Sequence, residues 1–255
     1  MNPNIRSAAL IGTGQIASTL GLAWEKQGIV FKAFGNRSCQ KPIGFAESAA
    51  LITDDWSKIP ADVDVILVAV SDDAIESVIE LLPEGPLIIH FSGSTRTPSP
   101  HGAVLWPVQS IRREDFQEDA SIPLVVSCSS AELESPVNQF ASLISKDLTW
   151  LPEEARFKAH MAAVFAANFT NHCFALAQSL CEASNLPWEK FQPMLEVIIH
   201  RGMSGHAATH QTGPALRRDE RVIRQHLELL ENDPSIQNVY RCLTESIQRL
   251  HELDD

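Results

Sequence analysis

Apolar residues in the first half of the chain fall into short blocks separated by stretches with helical spacing. The blocks at 8–11, 29–34, 63–70, 86–91, 103–108 and 122–126 read as strands, and the segments 15–27, 72–82 and 131–145 carry helical periodicity. Val63-Asp64-Val65-Ile66-Leu67-Val68-Ala69-Val70 is nearly uninterrupted, which suits a parallel sheet covered on both faces. The first half is therefore expected to be a doubly wound α/β domain. After Leu151-Pro152 the strand pattern stops. Residues 153–184 read as one long helix, opened by Glu153 and Glu154 and closed by Asn185-Leu186-Pro187, with further helices at 188–201, 214–231 and 234–253. This change of period predicts an α/β domain at 1–152 followed by an all-helical domain at 153–255.

A chain of 255 residues can give each domain its own core, and 44% hydrophobic with 20% charged residues is a globular composition. The 32 acidic residues outnumber the 20 basic ones, for a formal net charge of -12, so nucleic acid and anionic membranes are poor partners. No stretch is apolar for long enough to span a bilayer, and the start lacks a charged leader and an apolar signal core. A cytoplasmic protein is expected. Cys39, Cys128, Cys173, Cys181 and Cys242 are odd in number and form no C-x-x-C, and are expected as reduced, packed thiols.

The first strand block runs directly into Gly12-Thr13-Gly14-Gln15-Ile16-Ala17, a G-x-G-x-x-A turn. Gly12 makes the tight turn, Gly14 lets backbone approach a pyrophosphate, small Ala17 lets helix and strand pack closely, and the helix N-terminus attracts phosphate. An ordinary strand-to-helix turn explains the same glycines. About twenty residues on, at the tip of the second strand, an NAD site would place an acidic residue to accept from the ribose hydroxyls. This tip is Asn36-Arg37-Ser38. A guanidinium between an amide and a hydroxyl suits a ribose 2′-phosphate, hence NADP. The missing acidic residue also counts against an S-adenosylmethionine methyltransferase.

Ligands of an open parallel sheet lie beyond the carboxyl ends of its strands. There Val70 and Ser71 can meet the cofactor ribose or pyrophosphate, although Ser71 or Asp72 equally suits a helix cap. In His90-Phe91-Ser92-Gly93-Ser94, the Ser92 and Ser94 hydroxyls can bond a substrate carbonyl, imine or carboxylate, the alternative being a tight turn at Gly93. Residues 105–110 can wall the pocket, with Trp106 expected in the core. On the long helix, His160, Val164, Asn168 and Asn171 fall within about an 80° sector. His160 and Asn168 can there bond a substrate oxygen and exchange a proton, unless His160 is simply satisfied in the core. Lys158 is expected to face solvent. Ala159, Ala162, Ala163, Ala166 and Ala167 allow close helix approach, within the domain or at a homodimer interface. Thr212 and Pro214 suggest a helix start that places Arg217 and Arg218 in its first turn, against the dipole. An anion held by Thr212, Gly213, Arg217 and Arg218 would explain that, as would surface ion pairs. His200, His206 and His210 lack a completing ligand and are interrupted by Gly202 and Gly205, so no metal is expected.

With these residues in view, the chain resembles a Rossmann-like NADP oxidoreductase family with a C-terminal domain of unknown function, similar to pyrroline-5-carboxylate reductase and the 6-phosphogluconate/β-hydroxyacid dehydrogenases. The resemblance runs through residues 12–17, 36–38, 90–94, 160–169 and, most specifically, Thr212-Gly213-Pro214-Ala215-Leu216-Arg217-Arg218-Asp219. It implies a Rossmann NADP-binding domain, a helical bundle that dimerises, and a small-molecule substrate in a cleft between them. The hydroxyacid dehydrogenases carry a Lys a few residues before an Asn on the long helix. Lys158 is too far from Asn168 for that pattern, which leaves hydride transfer to a small C=N or C=O substrate as the expectation. A catalytically silent NADP-binding protein and a deazaflavin-dependent NADP reductase are the alternatives.

Overall fold

One eight-stranded sheet organises the first part of the computed structural model, which describes residues 5–46, 50–98, 100–109, 111 and 122–252. Its strands are β1 (Ser7–Ile11), β2 (Val30–Gly35), β3 (Leu51–Thr53), β4 (Val65–Val68), β5 (Leu87–His90), β6 (Gly102–Pro107), β7 (Leu124–Cys128) and β8 (Leu148–Trp150). They lie in the order β3-β2-β1-β4-β5-β6-β7-β8. Neighbours are parallel except for β6 and β7, which pair antiparallel with Pro107 opposite Leu124. The sheet is thus mostly rather than wholly parallel. The chain reverses direction between β6 and β7 without a crossover helix among the described residues, so β7 and β8 run opposite to the rest. The short strands β3 and β8 add one three-residue edge on each side that periodicity did not reveal.

Strand alternation sends side chains into two cores, as a doubly wound sheet requires. Ala8 and Leu10 of β1 and Val65 and Leu67 of β4 face α1 (Gln15–Lys26) and α3 (Glu134–Ser142), where Leu20, Trp24 and Phe140 are buried. Trp24 stacks on Phe140 at 4.5 Å, and its Nε1–H donates to the Phe140 carbonyl at 2.9 Å, joining the two helices. Ala9, Ile11, Ile66 and Val68 face the other way, onto Val78 of α2 (Ile75–Ile79). On that face Val104, Trp106 and Val125 receive Ala159 and Ala163 of α4 (Glu153–Ala163).

That contact explains why the chain divides into compact units at 1–167 and 168–255, fifteen residues later than the end of the strand pattern. The first turns of the long helix belong with the sheet. Beyond α4 come a π-helical segment, Val164–Phe169, and α5 (Thr170–Ala183). The second unit also holds α6 (Gln192–Met203), α7 (Glu220–Leu229) and α8 (Pro234–Leu250). The latter two are tied by hydrogen bonds from Gln237 Nε2 to the Leu227 carbonyl at 2.8 Å and between His226 Nδ1 and the Tyr240 hydroxyl at 2.8 Å.

Helix α7 starts six residues later than periodicity suggested. Asp219 caps it by accepting from Val222 N at 3.2 Å, whereas Gly213 (φ 107°) and Arg218 (φ 52°) hold residues 213–218 in a turn. The cysteines differ from expectation too. All five are free, but Cys39, Cys173 and Cys242 are exposed; only Cys181 is buried, and Cys128 is half-buried with its thiol pushed up to about 12 by burial. Among the described residues no helix is long and apolar enough to cross a membrane.

Candidate functional site

Strand order reverses between β1 and β4, and there a cleft of about 970 Å³ opens at the strands' carboxyl ends. Gly12, Thr13, Gly14, Gln15, Ile16, Asn36, Arg37, Ser38, Val70 and Ser71 all line it. Local geometry explains the glycines. Gly12 has φ 109° and donates its N–H to the Gly35 carbonyl at 2.8 Å, and a Cβ there would stand 2.1 Å from the Ala69 carbonyl oxygen. Only glycine fits that approach. Gly14 is the N-cap of α1, with no side-chain cap, and a Cβ on it would meet no protein atom within 4 Å. The helix thus presents its N-terminus to an open cradle suited to the phosphates of a dinucleotide. Ala17 is buried beneath it.

The tip of β2 is a tight turn built by Asn36. Its Nδ2 donates to the Gln40 carbonyl at 2.6 Å, and its Oδ1 accepts from Ser38 Oγ at 2.7 Å and Gln40 N at 3.1 Å. Cys39 takes a left-handed φ of 47° to close the turn. With its carbonyl oxygen and one amide hydrogen engaged in this way, Asn36 shapes the turn. Arg37 is exposed and has no hydrogen-bond or ion-pair partner among the described residues, so its five donors are available. Lys41 joins Ser38, Gln40, Ser18 and Thr13 around an adjoining pocket of about 380 Å³, which brings a second cation to the same end. Sequence reasoning missed Lys41, although its place three residues after Ser38 was legible. Trp56, whose ring packs on Gly35, was missed because it follows the unrecognised β3.

At the other end, Ser71 occupies the N-cap of the 3-10 turn Asp72–Ala74 but makes no side-chain cap. Asp72 instead accepts from Ser94 Oγ at 2.7 Å, linking the loops after β4 and β5. Ser92 is buried and lines the cleft; its Oγ accepts from Ser94 N (3.2 Å), Thr95 N (3.1 Å) and Thr95 Oγ1 (2.9 Å). It organises the loop, while Ser94 is exposed beside Asp72. His160 packs against this loop. A Cβ on Gly93 would lie 2.4 Å from His160 Cδ2 and 2.9 Å from Trp106, so Gly93 makes room for the imidazole. His160 meets Trp106 edge-on at 5.4 Å, and among the described residues its ring nitrogens have no hydrogen-bond partner. Trp106 is in the core as expected; Ser110 lies outside the described residues.

Ser92, Ser94 and His160 are therefore brought together within the first unit. Asn168 opens the second unit and lies, exposed, in the π-helical segment. A π turn takes an extra residue, so the α-periodic sector drawn through His160, Val164, Asn168 and Asn171 does not run through it. Lys158 is exposed (71%) and pairs with Glu154 at 3.1 Å. Thr212, Gly213, Arg217 and Arg218 all lie in the turn before α7, outside any helix first turn, and Arg218 pairs with Glu252 at 2.7 Å. The dipole-based reason for an anion there does not hold.

Residues 122–247 match the family described as a domain of unknown function (DUF2520). No curated protein gives a significant match. Among solved structures, a Bacteroides fragilis protein provisionally named as an NADP oxidoreductase is 29% identical, covering 96% of this chain and 98% of its own, with a TM-score of 0.78. A reductive aminase from Aspergillus terreus, in complex with NADPH and ethyl-5-oxohexanoate, is 13% identical over 96% of this chain and 94% of its own (TM-score 0.72). An imine reductase from Myxococcus stipitatus, in complex with NADP+, is 18% identical over 95% and 92% (TM-score 0.65). The last two likenesses are of fold. The chain is thus similar to DUF2520 over residues 122–247 and has the Rossmann-like fold of these structures.

Proposed function

We propose that this protein is an NADP(H)-dependent oxidoreductase acting on a small C=N or C=O substrate. The observation that carries the proposal is the turn at the end of β2. It lines the dinucleotide-sized cleft, offers an unpaired Arg37 with Ser38 and nearby Lys41, and has no carboxylate to hold a bare ribose. The uncapped α1 terminus and the space over Gly14 fit a pyrophosphate. When bound, the nicotinamide supplies or receives the hydride. The chain's own residues hold the cofactor, and half-buried His160, free at both ring nitrogens among the described residues, exchanges the substrate proton that Lys158 is placed too far out to handle. The named activities of the reductive aminase and imine reductase favour a C=N substrate. A homodimer through the helical unit is part of the proposal: Ile198 (56% exposed), Ile199 (49%) and Met203 (82%) leave more apolar side chain in water than an isolated bundle ordinarily does.

Arg37→Ala tests the cofactor assignment. A charge-assisted contact to phosphate contributes about 1.5–3 kcal/mol, so NADPH affinity should fall roughly ten- to a hundredfold while NADH affinity stays level. Equal wild-type affinities for NADPH and NADH would overturn it. A panel of imines and ketones then separates an enzyme, which oxidises bound NADPH with some member, from a silent binding protein, which does so with none.

A further inference from the structure

Arg156 was not singled out by the sequence, yet it is the largest charged side chain sealed inside the first unit, with no exposed surface. Every one of its five N–H donors is used. Nε–H donates to Ser127 Oγ at 3.2 Å, Nη1 to the Ser92 carbonyl at 3.1 Å and the Gly93 carbonyl at 2.7 Å, and Nη2 to the Thr95 carbonyl at 2.8 Å and Thr97 Oγ1 at 3.5 Å. Glu153 Oε2 stands 3.8 Å from Nη2 and accepts from Thr97 N at 2.6 Å, closing the ring of contacts. The Phe157 ring lies 4.9 Å from the guanidinium carbon. The other ordered partners of this loop are His90, whose Nδ1 accepts from Ser92 N at 3.2 Å, and Asp72.

We propose that Arg156 is the positioning residue of the site: from the first turn of α4 it draws the carbonyls of Ser92, Gly93 and Thr95 inward, and so fixes the loop that walls the cleft at the β5 end and supports His160. The proposal rests on the cofactor assignment above and deepens it. A fork of five directed donors is required, because a lysine offers three donors from one point and cannot reach the same carbonyls together. An ordinary buried ion pair would not show this pattern; here the charge is met mainly by main-chain dipoles from a single loop, and its one carboxylate neighbour among the described residues is the more distant contact.

Two measurements on Arg156→Lys test it. The first is hydrogen exchange of the amides in 92–97 against those of β4. The second is titration with NADPH and with 2′,5′-ADP, a probe that carries only the Arg37 end of the cofactor. Exchange in 92–97 should accelerate about tenfold or more with β4 unchanged, and NADPH affinity should drop about tenfold with 2′,5′-ADP within about twofold. Unchanged exchange and unchanged NADPH affinity would overturn the proposal. Should Arg156→Lys lose 2′,5′-ADP binding and the protection of β4, it has not folded, and Ser127→Ala, which removes the Nε contact and the 2.7 Å bond from Ser127 Oγ to the Leu151 carbonyl but touches none of the Nη contacts, decides: faster exchange in 92–97 supports the role, and wild-type exchange there overturns it. Wild-type protein that binds neither NADPH nor 2′,5′-ADP would refute the cofactor assignment, while the exchange comparison would still report on Arg156.

Discussion

His90 should make the stability of the fold depend on pH in a defined window. It ends β5 with its ring fully buried, Nε2–H donating to the Arg96 carbonyl at 2.8 Å and Nδ1 accepting from Ser92 N at 3.2 Å. A carbonyl can only accept and an amide N–H can only donate, so both contacts require the neutral Nε2–H tautomer. Burial, the largest cause, lowers its pKa from 6.5 to about 4; the Arg96 carbonyl opposes this, and the Arg156 guanidinium adds to it. Between these values the unfolded chain takes a proton that the folded chain refuses, so stability falls as pH drops from 6.5 toward 4. Below the folded pKa both states are protonated and His90 causes no further loss. At about pH 4.5 the loss is roughly 2–3 kcal/mol, a sizeable part of the ~5–15 kcal/mol that holds a typical domain. Urea unfolding of wild type and His90→Gln at about pH 7.5 and 4.5 checks it. The variant is weaker at neutral pH, but its pH-dependent loss is smaller by that amount. Equal losses in the two proteins would refute the assignment of a buried, neutral His90.

Gly12→Ala and Gly14→Ala should separate fold from ligand: the first drives a Cβ into the Ala69 carbonyl and lowers the melting temperature, while the second costs about 1 kcal/mol or less of stability yet weakens NADPH binding, read by thermal unfolding and titration. Gly93→Ala should displace the His160 ring and cost about 1–3 kcal/mol, seen as a shifted His160 imidazole NMR signal and an earlier unfolding midpoint. Iodoacetamide at about pH 8 should label exposed Cys39 and spare Cys128, whose thiol burial holds at about 12; comparable labelling rates in folded protein would contradict that environment. Ile198→Glu should shift the protein to monomer in sedimentation, and a wild-type monomer would remove the homodimer.

Local patterns were legible wherever the chain itself fixes the geometry. Gly12 and Gly14, the uninterrupted Val65–Val68 core of β4 and the Asn36-Arg37-Ser38 tip are each short local runs, and the glycine turn and the tip both line the cleft, whereas Trp56 and Lys41 escaped notice. The failures have identifiable competitors. Thr212 and Pro214 imitate a helix start, but Asp219 followed by Glu220 is the stronger cap, and left-handed Arg218 ends the preceding turn. The Ala-rich stretch serves two environments: Ala159 and Ala163 pack on the sheet, while Ala162, Ala166 and Ala167 stay exposed. Its α-periodic sector was lost at Val164–Phe169, since no single residue announces a π turn.

What sequence could not show is how the Ser92 end of the cleft is held. Arg156 follows an acidic helix start with nothing beside it in sequence to mark it as buried, and His90 stood out only as the first residue of the Phe91-Ser92-Gly93-Ser94 loop. Their roles emerge only when β5, β7 and α4 are adjacent, for Arg156 reaches carbonyls about sixty residues earlier in the chain, from Ser92 to Thr95. The consequence is a division of labour along the cleft. At the Arg37 end, the proposed cofactor contact is an exposed side chain and should respond to salt and to single substitutions; at the Ser92 end, geometry comes from two buried groups, one of them charged and one kept neutral. Removing either buried partner leaves carbonyls or an amide unpaired, so the loop's position and the stability of the fold are coupled at this end of the site and separable at the other.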